Sequence, residues 1–220
     1  NMYSLGIIII PKKKIEQLMQ VDLIGQMRRV CKKIGFMQEG PAWYFQDYPI
    51  QHQFNYANTI VDADWVYCHN ESDVMYYKGL GCKDVRVMRS LMIPEGLKPS
   101  KEKSNGTMIG GNFVQWYGGF DSYVIAKEFS VPMYVPTMGR KVKGEEQIPD
   151  LTHLPFMNWK DWMFKLAEFK YGIHLMQTYA AGSFMMNCGY LGIPCIGYNH
   201  TDTQRNIFPD FIRWKNIVRN

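Results

Sequence analysis

The chain has 220 residues, 46% hydrophobic and 15% aromatic, enough to bury a core in one large or two small domains and too apolar for a disordered protein. Its formal charge of +5 gathers at Lys12-Lys13-Lys14, Arg28-Arg29 with Lys32-Lys33, and Arg140-Lys141 with Lys143. That suits phosphate-bearing small molecules or peripheral contact with an anionic membrane; it is too weak to argue for nucleic acid, which is not expected given the lack of any helix-turn-helix, zinc-finger or RNP pattern.

The five cysteines include no Cys-x-x-Cys pair, so neither a disulfide framework nor a zinc site is expected, and the natural compartment is a reducing cytoplasm. The apolar run Leu5–Ile10 is too short for a membrane span. Met2, preceded by Asn1, reads as a native start, with an excised fragment as the other reading. Ile7-Ile8-Ile9-Ile10 predicts a strand buried on both faces of a parallel sheet. Leu18, Val21, Leu23, Ile24, Met27 and Val30 predict a helix over Ile15–Lys33, stopped by Gly35. Phe36-Met37 reads as a strand ending in Gln38-Glu39-Gly40-Pro41. Helix Tyr56–Ile60, strand Asp64–Cys68, helix Glu71–Gly79 and strand Val85–Met88 follow.

Pro94–Gly106, with two Pro, two Gly and three Lys, reads as a linker. After it come strand Thr107–Ile109, helix Phe120–Phe129, strand Met133–Val135 and strand Leu151–Leu154. Helix Trp159–Phe169, strand Ile173–Met176, helix Ser183–Leu191, strand Cys195–Gly197 and helix Thr203–Trp214 complete the chain. Alternation at crossover spacing predicts two Rossmann-like α/β lobes with parallel sheets, over residues 1–93 and 107–220.

Ligands of such sheets sit at the carboxyl ends of strands, where helix N-termini present free N–H groups. Three loops qualify: Gly110-Gly111-Asn112, Tyr179–Phe184 with its small residues before a helix, and the polar run Tyr198–Gln204. Gly182, Ser183 and Phe184 can cradle an anion, and Asn187 lies one turn into the helix they open. His174, inside an apolar strand, reads as a satisfied core histidine, and His200 is the only histidine in a candidate ligand loop.

The run Asn187–Gly197 (NCGYLGIPCIG) resembles the E-A-x-x-x-G-x-P-V-I signature of GT-B glycosyltransferases. Gly110–Ala126, Leu154-Pro155-Phe156 with Trp159 and Trp162, and Asp64–Gly79 are similar to further segments of that family, in its order. The resemblance implies transfer of a sugar from a nucleotide-sugar donor to an acceptor hydroxyl, with the donor on the second lobe and no separate cofactor; no metal is expected. The family's E-x7-E positions fall on Tyr179 and Asn187, so one carboxylate is absent and the other has become an amide. The Arg and Lys that neutralise the donor pyrophosphate in the family fall near Gly111-Asn112 and Gly118, and Arg140 and Lys141 are the candidates to replace them.

Only about 60 residues precede Asp64, so the first lobe is abbreviated by one or two βα units if Met2 is the start. Glu39, at a strand end in that lobe, is then the candidate base, with Asp47 and Glu71 behind it and Gln38 and Trp43 to orient an acceptor. The alternatives are a non-catalytic nucleotide-sugar-binding protein, a sugar-nucleotide epimerase relative of the same architecture, or an interaction module on the same fold.

Overall fold

A computed structural model describes residues 2–11, 20–89, 92, 95–97, 102–137, 142–177 and 183–198. The described residues fall into two compact units, one up to Arg89 and one after it.

In the first unit four parallel strands lie in chain order: β1 (Gly6–Ile10), β2 (Ile34–Gln38), β3 (Trp65–Cys68) and β4 (Val85–Val87). Helices α1 (Leu23–Arg28), α2 (Ile50–Val61) and α3 (Glu71–Leu80) connect them, with a 3-10 helix over Ala42–Asp47. When strands follow one another in chain order, right-handed crossovers all fall on one face. The core agrees: Ile24, Tyr44, Phe45, Tyr56, Ile60 and Tyr77 pack with Ile8, Ile10, Phe36, Val66 and Cys68.

The expectation that β1 is buried on both faces is therefore corrected. Ile8 and Ile10 are buried, but Ile7 and Ile9 are 47% and 58% exposed on an edge strand. The long first helix is corrected too. α1 begins only at Leu23, where the Asp22 side chain accepts from Gly25 N–H at 2.8 Å. α2 starts six residues before its expected start because Pro49 can precede a helix but cannot continue one.

Asp64 ties this unit together at the entrance to β3. It accepts from the Ile34 backbone at 2.8 Å and from Arg28 and Lys33, each at 3.1 Å. The backbone donor first, and then the two cations, hold its carboxyl below the usual carboxylate range.

The second unit has five parallel strands: β5 (Ser104–Ile109), β6 (Met133–Pro136), β7 (Leu151–Leu154), β8 (Phe169–His174) and β9 (Cys195–Gly197). Their spatial order is β7-β6-β5-β8-β9. Helix α4 (Gly119–Lys127) packs Tyr123 and Ala126 on one face, against Ile109, Val135 and Ile173. Helices α5 (Trp159–Ala167) and α6 (Ser183–Tyr190) pack Leu166, Phe184, Met185 and Cys188 on the other, with Met108, Phe169 and Cys195. The winding thus reverses between β5 and β8, the topological switch point at which open α/β sheets bind ligands.

Several boundaries moved, that of β8 most, which runs Phe169–His174 where Ile173–Met176 was expected. β5 begins at Ser104, so the last three residues of the segment read as linker are strand. α5 ends at Ala167, and Phe169 opens β8 with its ring 4.9 Å from that of Tyr134. The Gly-x-Pro run behaves as its chemistry requires. Gly192 adopts φ +63° after α6, Ile193 N–H bonds back to Cys188, and the Pro194 carbonyl takes Gly172 N–H as the chain enters β9. The expected final helix Thr203–Trp214 lies outside the described residues.

Candidate functional site

The carboxyl ends of β5, β6 and β7 and the start of α6 enclose a pocket of about 230 Å³. Gly110, Pro136, Thr137, Pro155, Phe156 and Met157 supply its strand-end wall, and Trp162, Ser183, Phe184 and Asn187 its helical wall. It is smaller than the ~300–1,000 Å³ of sites that engulf whole drug-sized ligands, and its ring-rich lining suits one planar group. Asn158 caps α5 by accepting from Asp161 N–H at 3.0 Å, fixing the helix that carries Trp162. Trp162 and Phe184 face each other with ring centroids 6.3 Å apart.

Asn187 is 3% exposed and lines this pocket, yet its Oδ1 has no hydrogen-bond partner among the described residues. A buried amide oxygen left unpaired costs about 1–3 kcal/mol, so the pocket presents an open hydrogen-bond acceptor among the described residues. Ser183 opens α6 at the same pocket, exposed.

The glycines do something other than admit a ligand. A Cβ on Gly110 would sit 2.3 Å from the Phe184 ring, so Gly110 is the seat of that ring. A Cβ on Gly111 would lie 2.5 Å from the Tyr117 carbonyl, and one on Gly118 (φ +65°) 1.9 Å from the Leu175 carbonyl. Near these positions the resemblance placed cations, but backbone packing leaves no room for a side chain on either glycine. Asn112 is likewise committed to its loop: its Oδ1 accepts from Val114 N–H at 3.2 Å and its carbonyl from Gly119 N–H at 3.1 Å. Of the candidate donor residues, the structure therefore gathers Gly110, Ser183, Phe184 and Asn187 at one pocket and uses Gly111 and Asn112 for the loop itself. Arg140, Lys141, Tyr179 and Gly182 lie outside the described residues, as does His200.

His174 contradicts its reading as a satisfied core histidine. It ends β8 at the switch point, is 4% exposed, and has no partner for either ring nitrogen among the described residues. Its ring meets Phe184 edge-on at 5.4 Å. Burial alone drives its pKa down to about 4, so it is neutral at pH 7. A strand-terminal histidine in an apolar run was the available signal.

In the first unit, Glu39 follows β2, exposed, with its N–H donating to the Ile10 carbonyl at 2.8 Å. Burial holds the pKa of His69 below the ordinary histidine value, against backbone hydrogen bonds at Gln38 and Met88 and, last, the charge of nearby Glu39, which favour its charged form. Histidine spacing gave no hint of this pairing. Gln38 cannot orient an acceptor: it is 1% exposed, donates to the Pro41 carbonyl and accepts from Tyr56 Oη at 2.8 Å. Trp43 stands edge-on to Tyr44, and Glu71 pairs with Arg89 at 3.1 Å.

The chain's Asp-x-Asp spacing, Asp62-Ala63-Asp64, precedes β3, opposite the strand ends. Asp64 is spent on Arg28, Lys33 and Ile34, and among the described residues no group of three His, Cys, Asp or Glu side chains can hold a metal ion. Nor is any helix among the described residues long and apolar enough to cross a membrane.

No family model and no curated protein matches the sequence. Solved structures do. Sucrose-phosphate synthase (tll1590) from Thermosynechococcus elongatus aligns with a TM-score of 0.66 at 12% identity, over 94% of this chain and 59% of that one. A trehalose-6-phosphate synthase aligns at 0.64 and 11%, over 94% and 61%. Anabaena Alr3699/HepE, solved with UDP and glucose, aligns at 0.61 and 10%, over 87% and 59%. This chain thus spans about 60% of the length of each. The two parallel-sheet, Rossmann-like units are those of the GT-B fold.

Proposed function

We propose that this chain takes part in glycosyl transfer, using a nucleotide-sugar donor whose nucleoside enters the pocket of the second unit. One observation carries the reading: the unpaired, buried Asn187 Oδ1 in a ring-lined pocket at the strand ends beside the switch point. Its oxygen accepts a hydrogen bond from a ribose hydroxyl, where a carboxylate in the family that the sequence resembles would do the same. We place the base between Trp162 and the Pro155–Met157 segment and the diphosphate at the N-terminus of α6. Arg140 and Lys141 are the cations we assign to the diphosphate, and Tyr179 and Gly182 are assigned to the donor site with them. The UDP in HepE supports a nucleotide ligand for this fold.

Stabilising the charge that develops on the leaving nucleotide is the chief catalytic demand. Removing the acceptor's proton is the second, and Glu39 is the carboxylate we assign to it, with His69 beside it. We propose that no metal is used. A thermal-shift panel of UDP, GDP, ADP, CMP and their sugars tests the donor reading. A ligand at 100 times its Kd adds about 2.7 kcal/mol, and one nucleotide should stand out. A flat panel would refute the reading.

A further inference from the structure

The sheet of the first unit ends in two unlike edges. At one edge β4 is only three residues long, Lys83 and Asp84 precede it, and Arg86 within it pairs with Asp84 at 2.6 Å. Short, charged strands are what keep a sheet edge from pairing with another chain. β1, at the other edge, has no such guard. Gly6-Ile7-Ile8-Ile9-Ile10 carries no charge and no proline, and among the described residues only β2 pairs with it. Gly6 N–H donates to the Lys33 carbonyl at 2.9 Å, and the Ile10 carbonyl accepts from Glu39 N–H at 2.8 Å. The even residues of β1 are therefore the ones bonded to β2. A parallel ladder uses alternate residues of each strand, so the N–H and C=O groups of Ile7 and Ile9 point off the edge. The side chains of the same two residues are 47% and 58% exposed, on the face opposite the helices.

We propose that the β1 edge pairs with the β1 edge of a second copy of this chain, antiparallel about a two-fold axis at Ile8. An antiparallel strand pair is compatible with that symmetry, the commonest among oligomers. In this register Ile7 lies opposite the partner's Ile9, and the reverse pair follows by symmetry. Each pair exchanges two N–H···O bonds, so every outward group of both residues is used on both copies. The side chains of each pair meet on the open face, isoleucine against isoleucine. This self-match is what selects a second copy: no charge is opposed anywhere along the five residues of β1. The area agrees with a reversible dimer. Ile7 and Ile9, with Leu5 and Tyr3 beside them at 47% and 69% exposed, offer with the backbone edge about 500 Å² per copy, which doubled only just reaches a specific interface. The result is a continuous eight-stranded sheet held at a dissociation constant on the order of tens of micromolar.

Sedimentation velocity of the full chain, from about 1 to about 300 µM, tests this. The wild-type chain should pass from monomer to dimer across that range. Ile7→Lys combined with Ile9→Lys opposes like charges in both pairs and should raise the dissociation constant at least roughly tenfold. Ile7→Lys combined with Ile9→Glu opposes unlike charges in the same register and should dimerise again. Both positions are half exposed, so each variant should keep its thermal unfolding transition, which confirms that it is folded. A wild-type chain still monomeric at the highest concentration overturns the proposal and leaves the edge to a strand of some other polypeptide. A dimer that survives the double lysine variant places the contact elsewhere and overturns it too. A lysine–glutamate variant as monomeric as the double lysine one overturns the register.

Discussion

His174 makes a prediction about stability. Its pKa falls from about 6.5 in the unfolded chain to about 4 in the folded one, so the unfolded state binds the proton first as the pH drops. Stability from the neutral ring is fully present above pH 6.5 and is lost progressively between pH 6.5 and 4. The loss attributable to this residue is about 2 kcal/mol at pH 5 and about 3 kcal/mol below pH 4. Against a total of roughly 5–15 kcal/mol for a typical domain, that is readily measured. Urea unfolding at pH 7.5, 6, 5 and 4.5 provides the assay, with His174→Gln as the reference. His69 has a lowered pKa as well, and its contribution has the same sign, so the variant keeps a residual slope. The difference between the two proteins isolates His174. Parallel stability curves for wild type and variant would refute the claim that the ring is buried neutral and unpaired.

Other perturbations separate packing from binding. Gly192→Ala should cost about 1 kcal/mol in thermal unfolding, from the φ of +63° alone, because nothing lies within 4 Å of the added Cβ, and should leave nucleotide affinity unchanged. Gly110→Ala drives a methyl into the Phe184 ring and should destabilise by about 1–3 kcal/mol while weakening any ligand of the pocket, read by melting and titration together. Asp64→Ala should cost about 1–2 kcal/mol at pH 7 in urea unfolding, since two of its three partners are exposed cations. Glu39→Gln should keep donor affinity and lower turnover by about 10²–10⁴-fold in a transfer assay, and undiminished turnover would place the base elsewhere.

The sequence made the second unit more legible than the first. Strands Leu151–Leu154 and Cys195–Gly197 fall where apolar alternation and Gly-x-Pro put them, although they are the two edges of the sheet. An apolar run misled for β1: its four isoleucines promise two buried faces, but a sheet wound in one direction covers only one. That depends on strand order, which a local pattern does not encode. The site shows the same division. Asn187, Ser183 and Phe184 were recoverable from the helix that precedes Gly-x-Pro. The glycines at 110, 111 and 118 invited a reading as ligand-facing, whereas contacts with Phe184, Tyr117 and Leu175, up to 74 positions away in the chain, decide them. His174 looks like any core histidine until its two nitrogens are found without partners among the described residues.

The central claim is that the Asn187 pocket binds the donor, and Asn187→Leu tests it most directly. Leucine keeps the volume and removes the unpaired amide, so the variant should be at least as stable as the wild-type chain. Calorimetric titration with the nucleotide sugar that wild type prefers should then show roughly tenfold or greater loss of affinity, the worth of a hydrogen bond of about 1.4 kcal/mol. Equal affinity in a folded variant would contradict the account.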